Sequence, residues 1–249
     1  VATGVAVVLR LTPKAVNEDN PIQEFILTAV LPTIVCGLVG ARLHHILTPP
    51  PSFATVGLAS FADYLARPEQ ILNFQRGGLG LYGAFAGGAL GLFYATWRHY
   101  QPFLPWLDIA AVGVAGGQAI GRWRNFVAHD MVGKPTTLPW SISVDPSFRP
   151  EPFTTFETFH PAFLYESMLM VAIFWLLMRQ MNVQPKNQAG NIALRFLVLY
   201  GVGRFLLEFV RADVHLIGDG PLSAAAVIAL TSAILAFLIL RLRRQDDQS

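Results

Sequence analysis

Charge is scarce in this 249-residue chain: Asp, Glu, Lys and Arg supply 14% of it, against about 25% in a typical soluble domain. Apolar residues supply 53%, and mean hydropathy is +0.45. A soluble fold of this size cannot hide so much apolar surface, so lipid must be its solvent. The net charge is only +2, which leaves no electrostatic footprint for nucleic acid. Cys36 is the single cysteine, which excludes an internal disulfide and a cysteine metal site. Inside an apolar run it reads as a small buried hydrophobe. HExxH, CxxC and GxSxG are missing as well, which removes the usual zinc, redox and serine-hydrolase motifs. No metal or cofactor is called for, and there is no internal repeat or low-complexity tract.

What is present is a series of apolar runs near the length of about 20 residues that a membrane helix needs. Six qualify, at 22–47, 79–97, 104–126, 162–178, 192–210 and 221–240. Residues 1–11 read as the end of a seventh; Val1 is not a start methionine, so part of that span is expected to be missing. The expected fold is an all-α, polytopic transmembrane bundle of seven spans in one integral-membrane domain over 1–249. Its long loops are 48–78 and 127–161, the latter rich in Pro, Thr and aromatics. Pro32 is tolerable within a span because neighbouring helices can satisfy the freed carbonyl.

Lysine and arginine in the loops set orientation. One set of loops holds eight (Arg10, Lys14, Arg98, Arg179, Lys186, Arg241, Arg243 and Arg244), the other four (Arg67, Arg76, Lys134 and Arg149). The richer set is expected in the cytoplasm. The C-terminal tail is then inside and both long loops are outside.

Ionisable groups within spans are costly and usually functional. With this topology they gather near the outer face: Arg42, His44 and His45; the Gly77-Gly78-Leu79-Gly80-Leu81-Tyr82-Gly83 junction; Arg122 and Asn125; His160, Tyr165 and Glu166; and Arg204, Glu208 and Arg211. Arg204, Glu208 and Arg211 are spaced i, i+4, i+7 and share a helix face. Arg122 and Asn125, three apart, share another. Arg204 lies on the order of 10 Å inside the boundary at the helical rise, too deep for lipid, and points to a polar cavity. An arginine fork suits phosphate and stays charged at any relevant pH, so the cluster suggests an anionic phospholipid. For a single arginine, snorkelling or helix-end anchoring is the bland alternative.

Glu208 is read as neutralising Arg204 and Arg211. Gly87, Gly88 and Gly91 read as a close-packing ridge; Gly78 and Gly83 sit where a loop enters a helix, and backbone N–H groups there can also approach a phosphate. His160-Pro161 can be a helix start, Tyr165 and Glu166 interfacial anchors, and His44, His45, His99 and His215 ordinary interface residues. His129 with Asp130 is a base pair or a loop hydrogen bond.

Four blocks together resemble one family. Gly121-Arg122-x-x-Asn125-Phe126, followed by Gly133-Lys134-Pro135-Thr136 and Leu138-Pro139-Trp140, resembles the signature of prolipoprotein diacylglyceryl transferases. His160-Pro161-x-x-Leu164-Tyr165-Glu166, Tyr200-Gly201-x-x-Arg204 with Glu208-Phe209-x-Arg211, and Gly77-Gly78-x-x-x-Tyr82-Gly83-Ala84 resemble three more blocks, in order over nearly all of 22–240. The resemblance implies a multi-pass enzyme of the bacterial cytoplasmic (inner) membrane with its N-terminus outside. Its implied partners are phosphatidylglycerol and a prolipoprotein signal peptide with a lipobox cysteine, and its products a thioether-linked lipoprotein and glycerol phosphate.

Arg122, Arg204, Tyr82 and Asn125 are the expected catalytic residues. Arg42, Gly78, Gly83, Gly133, His160, Tyr165, Glu166, Glu208 and Arg211 are expected to bind substrate. The chain departs from the family at Tyr82, where histidine is common, and at Ala41, Ala128 and Asp130. These leave the base open among Tyr82, His129 and His160, and leave a diverged inactive paralogue as an alternative. The rival class is an anionic-lipid or small-anion transporter or flippase, which should carry polar groups near the midplane. The one-sided charges favour an enzyme.

Overall fold

The computed structural model describes residues 21–49, 53, 56–73, 77–128, 132–150, 152–185, 188–212 and 223–246. The expected span at 1–11, His129-Asp130 and His215 lie outside them. The described chain is mostly helical, and each of the six apolar runs is a helix. They are α1 (Pro21–Leu47), α3 (Leu81–Arg98), α4 (Phe103–Gly121) continued after a turn by α5 (Trp123–Val127), α6 (Ala162–Met181), α7 (Asn191–Glu208) and α8 (Ala224–Asp246). Short α2 (Phe61–Ala66) lies in the first long loop.

Four stretches are long and apolar enough to cross a membrane: Glu24–Leu47, Phe103–Val127, Ala162–Met181 and Ala224–Gln245. Seven were expected. The two remaining long helices are shorter, at 18 residues each. In α3 glycine replaces apolar side chains at Gly83, Gly87, Gly88 and Gly91, and α7 carries Arg195, Arg204 and Glu208. The faces the helices leave uncovered are apolar: Leu27 is 72% exposed and Leu31 68%. Such a face is unfavourable in water and suits lipid.

The described residues fall into two compact units, one ending at Leu107 and one starting at Asp108. In the first, α1 packs along α3. The contact is backbone on backbone. A Cβ at Gly83 would meet the Gly40 carbonyl, one at Gly87 the Cys36 carbonyl, and one at Gly91 the Pro32 carbonyl. Small residues allow this approach, and dispersion between the close backbones holds it. Cys36 itself is half-buried rather than buried. Phe25, Ala29 and Ala95 pack with Trp106 at one end, and Ile46, Leu58 and Tyr64 at the other. Asp63 accepts from the Ser60 hydroxyl and backbone N–H, capping α2; these bonds hold its carboxyl below the usual range.

In the second unit α8 packs on α7, α7 on α6, and α5 on α6. Asp108 on α4 accepts from the Gly190 and Ala193 N–H groups at 2.7 and 2.8 Å. This satisfies orphan donors at the start of α7 and places a negative charge at its positive end. The expected all-α pattern is broken in the loop before α6. There β1 (Ile142–Ser143) pairs antiparallel with β2 (Thr158–Phe159). Segment 132–136 lies alongside, bonded to 158–160 on one side and to 210–212 on the other. Phe159, Val132 and Val144 form the apolar filling beneath.

Candidate active site

Arg122 sits at the break between α4 and α5. Its Nε lies 2.8 Å from Glu166 Oε2, and the other carboxylate oxygen, Oε1, accepts from Arg211 Nη1 at 2.9 Å. Glu166 is in the first turns of α6, and its side chain is only 4% exposed. A buried carboxylate needs such compensation. Arg204 Nη1 donates to Glu208 Oε2 at 2.6 Å, one turn along α7. The Ser223 hydroxyl donates to the other Glu208 oxygen. Ser223 also accepts from the Ala226 N–H at 3.0 Å, so it caps α8 while bracing the carboxylate.

Among the described residues three guanidinium groups thus meet two carboxylates, and guanidinium forks of this kind suit an anionic ligand. Glu166 and Arg204 line a narrow crevice with Leu169, Met170, Tyr200 and Leu207, too tight in this state for a water molecule. Asn125 is half-buried one turn beyond Arg122, and its N–H donates to the Arg122 carbonyl at 3.0 Å.

Arg211 was expected to share Glu208 with Arg204. Its guanidinium instead binds Glu166, 45 residues earlier in sequence. Helical spacing could not give that partner, because α7 ends at Glu208 and Arg211 has left the helix for a bridge to Gly133. Gly133 is held in that bridge between two backbones. A Cβ there would stand 2.5 Å from His160 Cβ and 2.7 Å from the His160 carbonyl oxygen, so only glycine fits.

His160 Nδ1 lies 3.1 Å from the Tyr165 hydroxyl. The Trp140 indole N–H also donates to that hydroxyl at 2.7 Å. The Tyr165 hydroxyl thus accepts from Trp140 and pairs with His160, joining the loop before α6 to the first turn of that helix.

Tyr82, Gly83, Gly78 and Arg42 belong to the first unit. Arg42, 5% exposed, is a loop holder. Its Nε donates to Ile71 O at 2.8 Å, Nη1 to Gly77 O and Gly78 O at 3.0 Å each, and Nη2 to Gln70 O and Asn73 O at 2.5 and 3.1 Å. Gly78 has φ +79°, the left-handed region glycine enters freely. A Cβ there would stand 2.7 Å from Arg42 Nη1. Tyr82 stands in the first turn of α3, with its ring centroid 6.5 Å from that of His44.

Sequence reasoning missed Gln118 and Ser223. Gln118 Oε1 accepts from Arg122 Nη2 at 3.2 Å, while its Nε2 is buried with no hydrogen-bond partner among the described residues. Gln118 precedes Arg122 by four positions, so a helical reading of 118–122 could have found it.

A membrane-embedded helical protein with an arginine–carboxylate cluster is the class defined by this fold and site. The family profile described as prolipoprotein diacylglyceryl transferase matches residues 1–242. A phosphatidylglycerol–prolipoprotein diacylglyceryl transferase of Trichormus variabilis is 30% identical over 256 residues, covering 99% of this chain and 86% of the relative. One from Prochlorococcus marinus is 31% identical over 248 residues, covering 96% and 81%. The second such enzyme of Streptomyces coelicolor is 36% identical over 191 residues, covering 77% and 57%. The chain belongs to the prolipoprotein diacylglyceryl transferase family, and it is a transferase.

Proposed function

We propose that this chain transfers the diacylglyceryl group of phosphatidylglycerol to the lipobox cysteine thiol of a prolipoprotein, forming a thioether and releasing glycerol phosphate. The observation that carries the reading is the buried arginine–carboxylate cluster around Glu166, in a family whose curated members bear this activity in their names. We place the reaction near the outer face of the bacterial inner membrane. The chain crosses seven times, the long loops lie outside and the C-terminus is cytoplasmic.

The reaction displaces a phosphate ester oxygen from an sp³ carbon. The thiol loses its proton, sulfur forms the C–S bond, and the C–O electron pair leaves on the phosphate. Two aids are needed: a thiolate, and stabilisation of the departing charge. Arg122 and Arg204 hold the phosphate, and their positive potential also lowers the thiol pKa from about 8.5. Glu166 and Glu208 pair with these guanidinium groups, and the phosphate shares the forks when lipid binds. Asn125 and the free Gln118 amide donate neutral hydrogen bonds to the phosphate or glycerol oxygens.

His160 and Tyr165 contact the substrate's polar head, and Gly133 keeps segment 132–136 in register against His160. Arg211 fixes Glu166. Arg42, Gly78 and Gly83 hold the loop and helix start that present Tyr82, which relays the thiol proton. The test is incubation of the purified protein with phosphatidylglycerol vesicles and a lipobox peptide, followed by mass spectrometry of the peptide. A diacylglyceryl mass increment on the cysteine is the expected result. Lipid redistribution between leaflets with the peptide unchanged would favour the flippase reading.

A further inference from the structure

We infer that His44 is the proton acceptor behind Tyr82, so that the two side chains form one relay for ionising the acceptor thiol; this rests on the transferase reading above. His44 lies in the last turn of α1 and Tyr82 in the first turn of α3, within the same compact unit. Their ring centroids are 6.5 Å apart at an interplanar angle of 38°; the Tyr82 hydroxyl and His44 Nε2 make no hydrogen bond to each other in the resting geometry, and a side-chain rotation brings them into bonding range for the relay.

The helix start on α3 is built around this imidazole. A Cβ at Gly80 would overlap His44 Nδ1 and stand 2.7 Å from its Cγ; one at Gly83 would overlap His44 Cβ. Two glycines one turn apart thus give the ring its seat. The Thr48 hydroxyl gives its proton to the His44 carbonyl oxygen at 2.7 Å. Toward His44 Nδ1, 3.4 Å away, that oxygen can therefore only accept. In the tautomer that directs its proton from Nδ1 toward that oxygen, Nε2 carries the lone pair. Nε2 is buried and has no hydrogen-bond partner among the described residues. A buried acceptor left without a donor is unfavourable and calls for an explanation.

The other described histidines are engaged. His45 Nε2 pairs with the Tyr64 hydroxyl at 2.9 Å, His160 Nδ1 with Tyr165, and the His99 ring packs edge-on against Phe25. Tyrosine alone is a poor acceptor for a thiol proton, since its conjugate acid lies far below neutrality and its own pKa is about 10. With an imidazole behind it the step balances. The thiol proton passes to the Tyr82 oxygen as the Tyr82 proton passes to His44 Nε2. The sulfur lone pair forms the C–S bond, and the C–O pair leaves with the phosphate. The imidazolium then returns its proton to the phosphate monoester or to water.

The experiment measures transfer from phosphatidylglycerol vesicles to a lipobox peptide at pH 7 and pH 9. It compares wild type, His44→Gln, His44→Ala and the double variant His44→Gln/Tyr82→His. Glutamine keeps the size and polarity of the ring but cannot take a proton. Among the described residues, the ionisable groups around this imidazole are Arg42 and His45 on its own helix, Tyr82 on α3, and Tyr64 on α2, which reaches His45. Segment 77–80 contributes backbone alone.

Both single variants should lower kcat roughly 10²-fold at pH 7, with the KM for lipid within about threefold. The deficit should shrink to within about tenfold at pH 9, where a thiol of pKa about 8.5 ionises unaided. Tyr82→His puts an imidazole at the relay position itself and should restore at least about tenfold of the loss. A His44→Gln rate within about threefold of wild type would overturn the inference. So would a loss equal at both pH values and unrelieved by Tyr82→His, which is the mark of a packing role. A wild type that leaves the peptide unmodified would instead sink the transferase reading itself.

Discussion

Glu166 binds Arg122 through one carboxylate oxygen, at 2.8 Å, and spends the other on an arginine 45 residues away. The three residues come from the α4–α5 break, the start of α6 and the segment after α7, so one carboxylate ties together the segments that carry the candidate site. Removing one partner of a buried ion pair costs about 3–5 kcal/mol because the other charge is left uncompensated. Glu166→Gln should therefore lower the thermal midpoint in detergent measurably, by the equivalent of at least about 2 kcal/mol. An unchanged midpoint would mean that water already neutralises both arginines.

Arg42 illustrates a different use of the same side chain. Its guanidinium donates to five carbonyls of one loop, a geometry the compact ammonium of lysine cannot reproduce. Arg42→Lys should loosen the loop over 70–78 and leave buried carbonyls unsatisfied. Faster proteolysis or hydrogen exchange in that loop, with α1 still protected, is the expected signature. Exchange indistinguishable from wild type would show that the loop holds itself.

These two arginines mark the limit of what was legible in the sequence. All six apolar runs became helices because their composition leaves the backbone no other way to satisfy its polar groups in lipid. The pairing of Arg204 with Glu208 followed from helical spacing alone. Glu166 with Arg211 did not, since that contact depends on where the chain turns after α7. The carbonyl role of Arg42 was equally hidden, because loop acceptors leave no residue-type signal. The ribbon around Gly133 was missed for the same reason, with strands of two residues each.

Topology is open to direct measurement. The basic tail from Arg241 onward should be cytoplasmic, and the loops over 48–78 and 127–161 outside, on the eight-to-four bias of loop lysines and arginines. Single cysteines introduced in a Cys36→Ala background, at Ser141 and at Gln245, would be probed with an impermeant thiol reagent in intact cells. Ser141→Cys should label and Gln245→Cys should not. The reverse pattern would put the arginine cluster at the inner face and remove externally presented prolipoprotein as its substrate.

Arg204 carries the sharpest expectation. It projects from α7 one turn before that helix ends, its side chain is 12% exposed, and Glu208 holds it one turn away while Ser223 braces the far oxygen of that carboxylate. An arginine so placed is costly unless paired, and Glu208 supplies the pair. A phosphate can share the planar fork through two parallel hydrogen bonds as charge develops on its leaving oxygen. Lysine keeps the charge but not the fork, so Arg204→Lys should retain part of the lipid binding and lose most of the transfer. Removing a charge-stabilising donor of this kind typically costs about 10²–10³ in rate. Arg204→Ala should lose at least as much, while the apolar residues of α7 keep the helix inserted. The measurement is transfer rate at matched membrane abundance for wild type and both variants, with lipid binding read separately. Rates within about threefold of wild type in both would make Arg204 a helix anchor, and the phosphate site would have to be rebuilt around Arg122.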